Sequence, residues 1–168
     1  MLTDSESEFI GLVIAKNKSM PGALLPILHG IQDAVGYIPA DAVGEIASAL
    51  NLSRAEVHGV ITYYHHFRSD PAGRTVVQIC RAESCQAMGS EALWQHACSK
   101  LGISHGERHG RGHGTTADGA FTLEPVYCLG LCASSPAMAV NEKVHARMGS
   151  EKFDRIMARA GTAERSPA

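Results

Sequence analysis

Four of the five cysteines form two close pairs, and each pair follows a stretch predicted to be a β-strand. Cys80 and Cys85 enclose four residues in CRAESC, whereas Cys128 and Cys132 enclose three in CLGLC. TVVQIC, which ends at the first cysteine, is rich in β-branched residues, and AFTLEPV ends just before the second pair. Loops at strand ends are held by a rigid scaffold. The fold must therefore bring two strands, distant in sequence, to one site.

Two thiol pairs suit a dinuclear iron–sulfur centre. A [2Fe–2S] cluster binds two thiolates at each iron, so a two-plus-two arrangement satisfies it. A Cys₄ zinc site is the alternative, and zinc pairs enclose two to four residues, most often two. The loops of four and three residues favour the wider centre. A thioredoxin-type redox dithiol requires C-x-x-C, which the chain lacks.

Composition excludes several classes of function. The net charge is −2, without the clustered basic patch that nucleic-acid binding requires. No apolar run approaches the roughly 20 residues that span a bilayer. The first residues are acidic, whereas a signal peptide begins with basic residues. We therefore expect a cytoplasmic protein without membrane insertion, in which metal binding is favoured over disulfides.

The hydrophobic pattern divides the chain into segments of different periodicity. We expect a flexible N-terminus at 1–19, a helical bundle at 20–70, a sheet domain at 75–160 and a tail at 161–168. Three amphipathic helices are predicted in the bundle, the third opening with the capping box SRAE at Ser53. The turn-forming sequence SDPAGR separates bundle and sheet domain.

The second half is predicted to have the element order β-α-β-β-β-α. After the first strand we predict a helix at 91–101, a Gly- and His-rich loop at 104–119, and the second strand. A hairpin at 136–140 and 143–146 and a last helix from Ser150 follow. The expected fold class is α+β or α/β, a helical bundle followed by a mixed sheet flanked by helices.

The remaining cysteine and a histidine repeat are further candidate metal ligands. Cys98 lies one turn after Trp94 on the predicted helix, and core packing is favoured over a fifth ligand or a regulatory thiol. His105, His109 and His113 recur every four residues, but the glycine-rich sequence GERHGRGHG disfavours a helix. A solvated loop is the favoured interpretation.

The cysteine pattern and its surroundings resemble the thioredoxin-like [2Fe–2S] ferredoxin family. The segment from LLPILHGIQ to ITYYHHF resembles the family's helical region, and CLGLCASSPAMAVNEKVHARMG resembles its second ligand loop and hairpin. The resemblance spans about residues 20–159. It implies a thioredoxin-like sheet domain and one [2Fe–2S] cluster ligated by Cys80, Cys85, Cys128 and Cys132. It implies no catalytic acid, base or nucleophile in this chain.

Family members are the small iron–sulfur subunits of NADH dehydrogenases (complex I), NAD-reducing hydrogenases and cytosolic NAD-dependent formate dehydrogenases. The resemblance implies a flavoprotein partner that binds FMN and NAD(H) and exchanges single electrons with the cluster. CRAESCQAMG and YCLGLCASSPAM resemble the gamma subunit of formate dehydrogenase. That assignment implies a further catalytic subunit with molybdenum or tungsten and molybdopterin. A zinc-stabilised interaction module and a free-standing ferredoxin are the alternatives from other classes.

An aromatic cluster precedes the predicted domain boundary. It comprises Tyr63, Tyr64, His65, His66 and Phe67. Packing of the bundle onto the sheet domain is the favoured interpretation. Contact with the flavoprotein is the alternative, because aromatic residues are enriched in the cores of interfaces.

Overall fold

The computed structural model describes residues 3–103 and 114–160. The chain divides into two compact units, residues 1–71 and 72–168. The described part of the first unit contains four helices: α1 (Asp4–Asn17), α2 (Leu24–Val35), α3 (Ala42–Leu50) and α4 (Arg54–Tyr63). None of the helices in the described residues is long and apolar enough to cross a membrane.

Helix α1 is the main difference from expectation in this unit. Residues 4–17, expected to be flexible, are helical from Asp4 onwards. The Thr3 hydroxyl accepts the Glu6 N–H (3.3 Å), and the Glu6 carboxylate accepts the Thr3 N–H (2.8 Å). This capping box satisfies two of the free amides at the helix start. Ile10 and Ile14 are buried, so the helix is held by core packing as well.

The first unit has its own apolar core, to which α1–α4 all contribute. Its largest members are Ile10, Ile14, Ile27, Leu28, Ile31, Ile38, Ile46, Val57, Ile61 and Phe67. The predicted capping box at Ser53 is present at the start of α4. Buried Gln32 holds the segment after α4, because its side chain donates to the His66 carbonyl and accepts the Arg68 N–H (2.8 and 2.7 Å).

The second unit contains a mixed sheet of five strands in its described residues. The strands are β1 (Thr75–Cys80), β2 (Gly114–Thr115), β3 (Phe121–Val126), β4 (Met138–Val140) and β5 (Lys143–His145). The helices are α5 (Glu83–Ala87), α6 (Ser90–Leu101) and α7 (Ser150–Ala160). The strand order is β2-β3-β1-β4-β5, in which β1 and β3 are parallel and the other pairs antiparallel. The predicted mixed sheet with flanking helices is confirmed.

The core of the second unit lies between the sheet and its helices. Its buried members include Val77, Ile79, Leu93, Trp94, Ala97, Cys98, Leu123, Met138, Met148, Phe153 and Met157. Cys98 is 3% exposed, so its predicted role in core packing is confirmed. A Leu, Val or aromatic side chain buried in this way contributes about 1.5–3 kcal/mol from removal of apolar surface from water.

Two short elements were not predicted. Residues 83–87 form α5 between the two cysteines of the first pair, where a plain loop was expected. Strand β2 lies within 104–119, which was expected to be loop throughout. Both elements are too short to show a hydrophobic period; β2 forms because its backbone pairs with β3.

Candidate metal centre

The parallel pairing of β1 and β3 brings the two cysteine pairs together. Cys80 lies opposite Val126, so the two strands end at the same edge of the sheet. Cys128 follows two residues beyond Val126, and Cys85 lies on α5. Two segments almost fifty residues apart therefore turn into loops at one place. The sequence-based expectation about strand ends holds in this geometry.

The two pairs differ sharply in exposure. Cys80 and Cys85 are buried, with 1% and 2% of their surface accessible, whereas Cys128 and Cys132 are exposed. Ala137 is buried with the first pair, and the apolar side chains of Ala82, Val126, Leu129 and Leu131 pack against this group. One thiol pair is thus shielded from water, while the other lies at the surface.

The exposed pair has the spacing of a metal chelate. The Sγ atoms of Cys128 and Cys132 are 3.8 Å apart. Two thiolates bound tetrahedrally to one metal at about 2.3 Å are separated by about 3.8 Å. Hydrogen bonding to Cys128, and then the charge of that thiolate, raise the pKa of the Cys132 thiol. A metal cation would relieve this repulsion.

The backbone of the second loop is held in an unusual conformation. Cys128 has φ +132° and Gly130 has φ +75°, both outside the conformations that side chains favour. The Gly130 N–H donates to Cys128 Sγ at 3.3 Å. The strained turn therefore directs an amide at a ligand sulfur, and such strain concentrates at functional sites.

The second loop also reaches the buried pair. Burial raises the pKa of the Cys80 thiol, and backbone N–H groups of Ala82 and Leu129 partly offset this by donating to its sulfur. For Cys85, burial raises the pKa, but hydrogen bonds from Ser135, Cys80 and the Ala137 backbone outweigh it and lower the pKa overall. Both loops therefore supply donors that stabilise negative charge on the first pair.

Two serine hydroxyls connect the loops. Ser84 Oγ and Ser135 Oγ are 2.9 Å apart, and both lie within hydrogen-bond distance of the Cys132 carbonyl oxygen (3.1 and 2.8 Å). Ser135 Oγ is also 3.5 Å from Cys85 Sγ. The sequence analysis missed both residues; their only sequence signal is that they lie close to ligand candidates.

The donor set fits an iron–sulfur cluster. Four thiolates with two ferric ions and two sulfides carry a net charge of −2, which N–H donors to sulfur stabilise. Amides are directed at the cysteine sulfurs from both loops. Within residues 3–103 and 114–160, no three Cys, His, Asp or Glu side chains are grouped tightly enough to hold a single metal ion. The thiols are arranged as two pairs, which is the arrangement that a two-iron centre uses.

Charged residues beside the first pair are held in place. Arg81 pairs with Glu91 (2.6 Å) and lies 5.0 Å from the centre of the Trp94 ring. Glu83 is exposed to solvent, as expected. Arg81 therefore brings a fixed positive charge next to Cys80, partly balanced by Glu91.

The other candidates from the sequence have different outcomes. His105, His109 and His113 lie outside the described residues. Within the first unit, Phe67 is buried in the helical core, whereas Tyr63 and Tyr64 are 75% and 43% exposed and contact each other edge to face.

Comparison with known proteins places these features in a family. The profile of the thioredoxin-like [2Fe–2S] ferredoxins matches residues 10–161. A second E-type subunit of the NADH-quinone oxidoreductase of Rhizobium meliloti is 35% identical over 94% of this chain and 90% of its own length. Subunit 2 of the Thermus thermophilus NADH-quinone oxidoreductase is 32% identical over 83% and 75%, and the E-type subunit of the Escherichia coli K12 enzyme is 30% identical over 94% and 91%.

A solved structure shares the fold. The crystal structure of an air-oxidised NAD⁺-reducing [NiFe]-hydrogenase superimposes with a TM-score of 0.62, at 24% identity, over 82% of this chain. This chain spans only 22% of that hydrogenase chain. The predicted thioredoxin-like fold and the [2Fe–2S] cofactor are confirmed at the level of the family. The chain belongs to the thioredoxin-like [2Fe–2S] ferredoxin family.

Proposed function

We propose that the chain is the [2Fe–2S] electron-transfer subunit of a multi-subunit NAD-linked oxidoreductase, and that Cys80, Cys85, Cys128 and Cys132 are the cluster ligands. The observation that carries the proposal is the meeting of two thiol pairs at the ends of parallel strands. The bound cluster supplies one-electron oxidation and reduction, which hydride chemistry at NAD(H) cannot provide alone.

The chain's own residues explain how such a centre is used. The buried pair and its apolar surroundings keep water from one side of the site. The exposed pair leaves the other side open to a partner protein. The amides of Leu129 and Gly130 stabilise the negative charge of the thiolates. No acid, base or nucleophile is assigned to this chain, and the proposed work is electron transfer only.

The partner that supports this function best is a flavoprotein subunit that binds FMN and NAD(H). The relatives are named as subunits of NADH-quinone oxidoreductases, and these give the coarser class of complex. The sequences CRAESCQAMG and YCLGLCASSPAM favour the gamma subunit of a cytoplasmic formate dehydrogenase, with a molybdenum- or tungsten-containing catalytic subunit. Complex I and NAD-reducing hydrogenase are the alternatives.

Electron paramagnetic resonance of the dithionite-reduced, anaerobically reconstituted chain tests cluster binding. We expect a rhombic signal from one reduced [2Fe–2S] centre per chain. Single Cys→Ser changes at 80, 85, 128 and 132 are expected to lose or alter that signal. Cys98→Ser is the matched control, because Cys98 is buried in the α6 core. A wild-type chain without the signal, or an equal effect of Cys98→Ser, contradicts the proposal.

Affinity purification from the native host tests the partner. We expect the chain to retain a flavoprotein and, through it, a subunit containing molybdenum or tungsten. A quinone-reducing or nickel–iron catalytic subunit would identify one of the alternative complexes instead. Tyr63→Ala with Tyr64→Ala tests whether these exposed rings contact the flavoprotein. Unchanged retention of the flavoprotein would remove that surface from the proposal.

A further inference from the structure

The hydroxyls of Ser84 and Ser135 form a small network between the two ligand loops. Ser135 Oγ lies 2.8 Å from the Cys132 carbonyl oxygen, 2.9 Å from Ser84 Oγ and 3.5 Å from Cys85 Sγ. Ser84 Oγ lies 3.1 Å from the same carbonyl. Both serines are partly buried, so water competes only weakly for these bonds.

Counting hydrogens shows that the network has two arrangements. Each serine has one hydroxyl hydrogen to donate, and a carbonyl oxygen only accepts. While Cys85 is a thiol, its S–H donates to Ser135 Oγ, and Ser135 donates to the Cys132 carbonyl. A metal-bound thiolate has no hydrogen and can only accept. The Ser135 hydroxyl must then turn toward Cys85 Sγ for that contact to remain a hydrogen bond.

Ser84 makes this second arrangement inexpensive. When Ser135 turns away, the Cys132 carbonyl loses one donor, but the Ser84 hydroxyl is already 3.1 Å from it. No buried acceptor is left without a partner, which would otherwise cost about 1–3 kcal/mol. The two serines can therefore exchange roles through hydroxyl rotation alone, without movement of either loop.

We propose that Ser135 is a positioning residue that donates its hydroxyl hydrogen to the cluster-bound sulfur of Cys85, while Ser84 replaces it at the Cys132 carbonyl. The proposal rests on the function proposed above. A hydrogen bond to a ligand sulfur stabilises the reduced cluster, with its additional negative charge, more than the oxidised cluster. Ser135 therefore raises the reduction potential of the centre.

The full chain with its cluster reconstituted tests this assignment by optical redox titration. Ser135→Ala is expected to shift the one-electron reduction equilibrium about tenfold toward the oxidised form, which is about 59 mV. Ser135→Thr, which keeps the hydroxyl, is expected to restore a potential near that of the wild type. Ser84→Ala is expected to lower the potential by less, because Ser135 must then divide its one hydrogen between Cys85 and Cys132.

A spectroscopic signature separates this role from a merely structural one. Electron–nuclear double resonance of the reduced wild-type chain in D₂O is expected to show an exchangeable deuteron coupled to the cluster, which Ser135→Ala loses. Equal potentials for wild type and Ser135→Ala, or the same deuteron couplings in both, would overturn the assignment of Ser135 while leaving cluster binding intact. A wild-type chain that holds no cluster would overturn the proposed function as well.

Discussion

The left-handed conformation of Gly130 makes the second ligand loop sensitive to one added methyl group. Gly130 has φ +75°, and a Cβ built there would meet no atom within 4 Å. Gly130→Ala therefore adds no clash and tests the backbone conformation alone. A non-glycine residue in this region costs about 1–2 kcal/mol. Lower entropy of the unfolded chain returns about 0.5 kcal/mol of this. We expect a net loss of about 1 kcal/mol.

Urea unfolding of the metal-free chain measures this loss in the second unit. The chain has one tryptophan, and Trp94 is buried in that unit's core, so its fluorescence reports unfolding there. A loss of about 1 kcal/mol lowers the urea midpoint by about 0.5 M at an ordinary slope of about 2 kcal/mol/M. Gly130→Asn is expected to lose less, because asparagine tolerates this conformation better.

Gly149→Ala is the matched control. A Cβ at Gly149 also meets nothing within 4 Å, and its φ lies outside the left-handed region. We expect its urea midpoint to stay within about 0.3 M of the wild type. Equal midpoints for Gly130→Ala and Gly149→Ala would refute the argument that the ligand loop depends on a conformation reserved for glycine.

Three further predictions concern the core, the first unit and the thiols. Phe153→Ala is expected to cost about 3–5 kcal/mol in the same urea assay, because Phe153 is fully buried; a loss below about 1 kcal/mol would contradict this packing. Hydrogen bonds from the Ser53 backbone and hydroxyl lower the pKa of Glu56 from its ordinary value of 4.5. The ionised carboxylate therefore stabilises the first unit above that value, and this contribution is lost as the pH falls through the folded-state pKa. Glu56→Gln should weaken the acid dependence seen by circular dichroism, and an unchanged acid limb would count against the capping box. Iodoacetamide should modify Cys128 and Cys132 of the native metal-free chain well before the three buried thiols, as mass spectrometry can show; uniform modification would contradict the exposure difference.

Hydrophobic periodicity was a sufficient guide to the longer elements of the fold. Strand 75–80 and the last helix from Ser150 lie where predicted, and the helix predicted at 91–101 begins one residue earlier. The capping box at Ser53 was recognised because a clear apolar stripe follows it. The equivalent box at Thr3 was overlooked because the acidic residues around it resemble a frayed end.

Elements stabilised by long-range contacts were beyond local pattern. Strand β2 has two residues, and its place in the sheet is decided by pairing with β3 rather than by its own sequence. Helix α5 is a single short turn of chain between two cysteines. Sequence spacing identified the thiols, but which sulfurs are buried depends on how the loops pack.

The hydrogen-bond donors around the thiols were likewise hidden from sequence. Backbone amides occur at every non-proline residue, so only the fold shows that those of Leu129 and Ala137 face sulfur. Ser135 lies fifty residues from Cys85, and their contact requires β1 and β3 to be neighbours. Ligand identity is thus local information, whereas the tuning of the ligands is a property of the tertiary structure.

The central claim is that one chain holds a two-iron cluster between two sulfur-bearing loops. Iron, zinc and acid-labile sulfide should be measured together in protein purified without oxygen. The account predicts about two irons and two sulfides per chain, with little zinc. About one zinc per chain with no labile sulfide would contradict it.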